Sequence, residues 1–331
     1  MRRFSFLLLA AVAALTPAPA AHAATRADWN RSEQEDVAAA GVLARLDDGR
    51  FHGERDLTGA QLGHALSAIA GQPVAGSAQA TVSVTAFDAR LVGQLGLSDI
   101  AAHVQETARQ AGLNPPHTFG TEVVARFLGL RTNHPAEDDA LELYPWEPIT
   151  RAEAAHSFAT LLQSRDWAVE NARAQLGAFA LPSYDAKTRR ALRVAVSKIG
   201  MPYVWGGETD TTSSTYGYQA HGGYDCSGFV WRIFKLSNLP AGAAIGGRTA
   251  AQMAGEIPKR ERLHLDEIAP GDLVFFGTAK FNGKATETGV DHVGIALSPH
   301  WMIHSSAQGV YVSSLDDAWR QARFTWARRV L

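Results

Sequence analysis

The feature that most restricts the fold is a pair of short apolar runs near the C-terminus, His292-Val-Gly-Ile-Ala-Leu297 and Trp301-Met-Ile-His304, joined by Ser298, Pro299 and His300. Period-2 alternation, β-branched and aromatic residues and a proline-containing connection read as the two strands of an antiparallel hairpin. With the turn centred near residue 298, His292 lies directly opposite His304, Val293 opposite Ile303 and Ile295 opposite Trp301. One face is then apolar, and the other carries two imidazoles with only Gly294 and Ala296 for company. A lone histidine on a strand is usually structural. Two opposed across a hairpin fit a base and the group that orients it.

Such a pair needs a nucleophile, and Cys226 is the only cysteine in the 331 residues. Arg2, Arg3, an apolar run from Phe6 to Leu15 and the small-residue ending Ala21-His22-Ala23 form a secretory leader pattern with cleavage after Ala23. No other apolar run reaches the ~18 residues of a membrane span. An exported, extracellular protein is therefore expected, with no span in its mature part. Cysteines in that compartment commonly pair, and by count alone a lone one is an inert core residue or half of an intermolecular disulfide. The context of Cys226 points elsewhere. Asp225 is a good helix N-cap, and Phe229-Val-Trp-Arg-Ile-Phe234 has the apolar content of a buried helix. Cys226 then sits in the first turn, where unpaired N–H groups and the positive helix end favour the thiolate.

Asp291, His292, His300 and His304 can also be drawn as zinc ligands, but neither a His-Glu-x-x-His pattern nor paired cysteine spacing is present. No metal and no cofactor are expected. His300, within the turn, reads as a solvent-exposed loop histidine. Trp319 and Trp326 read most simply as core packing, with the holding of sugar rings as the alternative. A formal net charge of -2 leaves no basic excess for nucleic acid, and 46% hydrophobic residues suffice for about two globular cores.

Before the catalytic region the chain reads as short amphipathic helices. Thr58-Gly-Ala-Gln61, Thr85-Ala-Phe-Asp88 and Thr150-Arg-Ala-Glu153 each place a threonine three residues ahead of an acid or amide, the capping-box arrangement. A further helix is expected from Asp166 to Leu176, then linker chemistry at Pro182 and Ser183, then an amphipathic helix from Lys187 to Ile199 stopped by Gly200 and Pro202. The expected organisation is a leader over 1–23, a helical domain over 24–178, a linker over 179–186 and an α+β domain over 187–331.

Six stretches carry a family pattern. They are Gly200-Met-Pro-Tyr203-Val-Trp205-Gly-Gly207, Tyr224-Asp-Cys226-Ser-Gly-Phe-Val-Trp231, Arg248-Thr-Ala-Ala-Gln252, Pro270-Gly-Asp-Leu-Val-Phe-Phe276, His292-Val-Gly-Ile295 and Met302-Ile-His304. In content and order these stretches closely resemble the NlpC-type cell-wall cysteine peptidases, which implies for the C-terminal half a papain-like α+β fold with the nucleophile's helix packed on an antiparallel sheet. The resemblance implies Cys226 as nucleophile, His292 as base and His304 as the orienting third residue. It places Tyr203 and the backbone N–H of Cys226 or Ser227 at the oxyanion, with Asp225, Ser227 and Trp205 beside the substrate. The implied activity is hydrolysis of peptidoglycan stem peptides, most commonly between γ-linked D-glutamate and the following diamino acid. An amidase of the same fold, or a wall-binding scaffold with an inactive domain, are the alternatives. The segment Glu208 to Gly223 is longer and more polar than the family pattern, Gly277 to Val290 is a Gly- and Thr-rich loop just before the base, and polar loops beside a cleft commonly set substrate choice.

Tyr144 to Leu162 resembles the junction between two S-layer-homology modules, helical repeats that hold exported proteins to a secondary cell-wall polymer. Arg151 matches the arginine that takes part in glycan binding there, whereas Gly59 and Ala86 stand at the equivalent places of the other two helix starts. A purely structural helical domain is the other reading.

Overall fold

The structure, a computed structural model, describes residues 25–76, 81–215 and 217–331; the expected leader lies outside them. Among the described residues the first half forms α1 (Arg31–Ala39), α2 (Gly59–Ala70), α3 (Val84–Gln94), α4 (Ser98–Gln110), α5 (Phe119–Phe127) and α6 (Arg151–Gly177). No helix among them is long and apolar enough to cross a membrane.

Thr58 closes a full capping box with Gln61 at the start of α2. The second expected box is not formed. Ser83, not Thr85, caps α3, its hydroxyl accepting from the Ala86 N–H at 3.3 Å. Val84 and Thr85 donate their N–H groups to the Glu147 and Pro145 carbonyls at 3.0 Å each, which fixes the entry of the helix two residues early. Asp88 is consequently carried into the core. At the third start Thr150 caps α6 by accepting from the Glu153 N–H at 3.2 Å, while the Glu153 carboxylate is drawn to Arg131 (3.2 Å) and His134 (3.3 Å). The helix expected from Asp166 is the second half of α6, because no glycine or proline interrupts the chain between Arg151 and Asp166.

The second half adds α7 (Ala186–Val196), the short strands β1 (Glu208–Thr209), β2 (Ser213–Ser214), β3 (Gly217–Tyr218) and β4 (Gly223–Tyr224), then α8 (Cys226–Phe234) and α9 (Ala250–Gly255). A sheet follows from β5 (Leu273–Gly277), β6 (Val290–Ala296), β7 (Trp301–Ser306), β8 (Gly309–Ser314) and β9 (Phe324–Arg328), with α10 (Ala318–Arg323) before its last strand. Strand order is β8-β7-β6-β5-β9, and every neighbouring pair is antiparallel. One face of the sheet places Phe275, Val293, Ile295, Ile303 and Trp326 in the main core with α8 and α9. The other face builds a smaller core from Val274, Phe276, Ala296, Met302 and Ala327.

The hairpin of β6 and β7 forms, but its register differs from the expected one. Ile295 pairs with Ile303 and Ala296 with Met302, so the turn is centred on residue 299 and His304 faces Gly294 rather than His292. The change moves partners by two residues, and a strand's faces repeat every two, so the apolar and imidazole faces survive it. Gly294 is what makes room: a Cβ there would lie 2.8 Å from Met302 Sδ and 3.2 Å from His304 Cβ.

Helical and sheet regions share one hydrophobic core, continuous from Val37 to Trp326. The segment 179–186 runs along it: Phe179 and Tyr184 are buried, Phe179 packs edge-on against Trp301 at 5.1 Å, and the Tyr184 hydroxyl donates to the Leu297 carbonyl at 2.9 Å. Beneath the joint lies a buried charged cluster. Arg126 sits 2.9 Å from Glu122 and 3.7 Å from Asp88, and donates to the Gly200 carbonyl at 2.9 Å.

Candidate active site

Cys226 occupies the first turn of α8, and Asp225 caps that helix by accepting from the Gly228 N–H. Asp225 also accepts from Arg248 at 3.1 and 3.2 Å and from the Ser227 hydroxyl at 3.0 Å; Arg248 in turn donates to Glu208 and to the Gly206 and Gly207 carbonyls. These bonds turn Asp225 and Ser227 toward the helix and Arg248. Arg248 heads one of the stretches quoted above, but nothing in its spacing announced this role as a clamp. Gly228 is where the helix start and the Gly207 segment touch: a Cβ there would lie 1.8 Å from the Gly207 carbonyl oxygen.

The Cys226 thiol donates toward the Asp291 carbonyl, 3.9 Å away. Asp291 is available for this because β6 bulges at its start, Phe276 pairing with His292 but Gly277 with Val290. Burial pushes the thiol up to about 12, with the Asp225 carboxylate adding to it; N–H groups of Val293 and Ser227 and the Arg248 charge pull the other way. The positive end of α8 is thus outweighed, and the resting thiol is protonated.

His292 Nε2 and His304 Nδ1 are 2.8 Å apart with rings nearly perpendicular at 79°, and His304 Nε2 is 2.8 Å from the Ser313 hydroxyl. Although not directly opposite, the two imidazoles meet diagonally across the hairpin. Burial pushes His292 down to about 4, with Arg320 and Arg323 adding and Asp291 opposing. His304 is held well below its ordinary value by burial, then by His292 and Arg320. A buried neutral thiol sharing a cleft with a half-buried neutral imidazole suits general-base chemistry, in which charge develops only as the reaction proceeds.

Cys226, His292, His304 and Tyr203 line one cleft of about 630 Å³, together with Asn133 and His134 from the helical region. The segment carrying Asn133 is pinned to the C-terminal half. Asn133 donates its backbone N–H to the Ala307 carbonyl at 2.8 Å and its side-chain amide to the Tyr203 carbonyl at 2.6 Å. Tyr203 is held neutral, burial raising its phenol first, with the neighbouring Cys226 and Asp225 adding to it. Asn133 and His134 carried no signal in the sequence, since their part in the site arises only from the packing of distant segments.

Other expected site residues lie elsewhere. Trp205 is 72% exposed and outside the cleft lining, and its backbone N–H donates to Asp139 at 2.6 Å. Arg151 is 1% exposed, lies over the Phe51 ring at 4.6 Å and donates to the Phe51 and Ala44 carbonyls at 2.9 and 2.6 Å. Trp326 is core, stacked under Arg262 at 3.6 Å, but Trp319 is 65% exposed and lines the cleft, contrary to its reading as core. His300 is exposed, 3.0 Å from Asp316.

Residues 200–329 match the NlpC/P60 family. The chain is 35% identical over 120 residues to the probable endopeptidase NlpC of Escherichia coli strain K12, covering 36% of this chain and 70% of that one. It is 32% identical over 158 residues to the murein DD-endopeptidase MepH of the same strain, covering 45% and 49%. The γ-D-glutamyl-L-lysine dipeptidyl-peptidase of Bacillus subtilis strain 168 is 30% identical over 118 residues, covering 35% and 31%. The chain thus spans about half the length of MepH and about a third of the Bacillus protein. The matched residues contain Cys226, His292 and His304 and exclude the helical region. Through residues 200–329, this chain belongs to the NlpC/P60 family.

Proposed function

We propose that this protein is an exported peptidoglycan endopeptidase that cuts stem peptides through a Cys226 thioester. The observation that carries the reading is the cleft in which the thiol of Cys226 lies with the hydrogen-bonded pair His292 and His304. Cys226 Sγ attacks the peptide carbonyl while its proton passes to His292 Nδ1, the nitrogen not engaged by His304. The oxyanion is met by backbone N–H groups at the start of α8 and by the Tyr203 hydroxyl, donors of a kind worth about 3 kcal/mol each. Collapse releases the amine, which takes the proton from His292, and water then cleaves the thioester with His292 again as base. An exported location accords with the leader pattern and with a substrate found outside the membrane.

For the bond, we favour the link between γ-D-glutamate and the diamino acid, in keeping with the family's commonest target and with the name of the Bacillus relative. The name of MepH specifies a DD-bond instead. Digestion of purified peptidoglycan by the full chain, with Cys226→Ala as control, separates these by fragment mass. Fragments beginning at a free diamino acid support the first bond, fragments ending at a new D-alanine carboxyl the second, and equal release by both proteins refutes the mechanism.

The helical region, on this reading, shapes the cleft. Arg151 has its donors on backbone carbonyls, which supports a structural task over polymer binding. Asn133→Ala removes the bond that holds Tyr203 from outside its own domain. It is expected to lower kcat/KM about tenfold, the ~1.4 kcal/mol of one part-buried hydrogen bond, with the thermal midpoint nearly unchanged. Asn133→Asp should lose as much, because a carboxylate cannot donate to the Tyr203 carbonyl.

A further inference from the structure

The hydrogen-bonded chain behind the base does not end at His304. His304 Nε2 meets Ser313 Oγ on β8 at 2.8 Å, and Arg320 of α10 donates to the same oxygen at 2.8 Å. Both inner members are enclosed, His304 at 2% and Ser313 at 4% exposure. Arg320 lines the cleft itself. We propose that Ser313 and Arg320 are positioning residues for the Cys226 reaction, fixing His304 and setting the pH range over which His292 acts as a base. This rests on the reading of the site as a cysteine peptidase.

The direction of donation gives the first reason. A guanidinium only donates, so Ser313 Oγ accepts from Arg320 and keeps one lone pair for His304. When His304 Nε2–H donates to that lone pair, His304 Nδ1 accepts from His292 Nε2–H. His292 Nδ1 is then bare and able to take the thiol proton. The opposite run of donors leaves a proton on His292 Nδ1 and no base. Once His292 has become an imidazolium, it donates along the same chain, and no second proton has to move.

Charge gives the second reason. The groups facing the His292 imidazole are Asp291 on β6, Arg320 and Arg323 on α10, His304 on β7 and Cys226 on α8, with Tyr203 and His134 in the same cleft. Tyr311 of β8 packs on His304 at 4.3 Å. Arg323 is matched by Asp291 at 2.6 Å, whereas the carboxylate paired with Arg320, Asp317, is 3.7 Å away. Arg320 is therefore the less compensated positive charge beside the two imidazoles, and it opposes their protonation.

The test compares the full chain with Arg320→Gln, Arg320→Lys, Ser313→Ala and Ser313→Thr, measuring kcat and KM from pH 4 to 9 on a soluble stem peptide. Arg320→Gln should move the acid limb of kcat/KM upward by about one pH unit, and Arg320→Lys should restore it. Ser313→Ala should lower kcat about tenfold at unchanged KM, part of the ~10²–10⁴-fold a general base contributes, and Ser313→Thr should recover most of it. An acid limb that stays in place in Arg320→Gln, or losses that only follow the folded fraction, overturn the proposal. A readout independent of turnover is the NMR titration of His292 in a Cys226→Ala background, where Arg320→Gln should raise its midpoint. An unmoved midpoint refutes the role of Arg320. A raised midpoint, with no fragments released by the chain that keeps Cys226, upholds that role and discards the peptidase reading.

Discussion

Replacing His292 with alanine is expected to lower peptide cleavage near neutral pH by about 10³- to 10⁴-fold, at the upper range of what a general base supplies. The size follows from the thiol. Burial holds Cys226 up at about 12, so almost none of it is ionised at pH 7 without a base to take its proton. The residual rate of the variant should climb about tenfold per pH unit on the alkaline side, as hydroxide replaces the imidazole. Wild type should stay level down to about one unit above the His292 value of about 4 and then fall. Alkylation of Cys226 by iodoacetamide, followed against pH in both proteins, reports the same contrast without substrate. A variant within a few-fold of wild type at pH 7 would remove His292 from the mechanism.

The same substitution has a signature in stability. The folded-state value of His292 is depressed below the ordinary 6.5, so the unfolded chain binds the extra proton and the fold loses stability as pH falls from 6.5 toward 4. For His292 alone that loss is about 3 kcal/mol. Denaturant titrations at pH 7 and pH 4.5 should show wild type weakening more than His292→Ala between the two. The buried Asp88 carboxyl, pushed up to about 7 mainly by burial and the Glu122 charge, acts in the opposite sense and is common to both proteins.

Gly228→Ala is expected to have the largest effect on the fold for its size, a loss of more than 3 kcal/mol together with nearly all cleavage activity. The added Cβ would lie 1.8 Å from the Gly207 carbonyl oxygen and 2.6 Å from Arg248 Nη2, so backbone rather than a flexible side-chain end has to give. Moving either partner shifts the start of α8 and the sulfur with it, and a displacement of about 1 Å at a reacting atom can cost 10²-fold. Gly177→Ala, at the end of α6 with nothing within 4 Å of the new Cβ, is the matching control. There the methyl should be neutral or stabilise by about 0.5–1 kcal/mol. A Gly228→Ala protein that unfolds within 1 kcal/mol of wild type would show that the contact relaxes.

Cys226 at the start of α8 and the two-faced hairpin of His292 and His304 were legible because they depend on periodicity and capping, which act within about ten residues. Register was less so: a shift of two residues preserves every face, and nothing local separates the two choices. Thr85 failed as a cap because its own N–H and that of Val84 found partners at Pro145 and Glu147, about sixty residues away. Asp225 and Trp205 were expected beside the substrate on family pattern, yet the first is held by Arg248 and the second faces solvent.

By itself, the sequence determined that Cys226 opens a helix, that His292 and His304 share one face of a hairpin, and the family that residues 200–329 join. Only the tertiary structure decided the charge state of that machinery, because burial is a property of packed segments and outweighs the local helix field at Cys226. It also decided that Asn133 from the helical region closes the site, and that Ser313 and Arg320 stand behind His304. Those contacts join residues that are distant in the chain, or lie on elements whose relative placement no local pattern encodes.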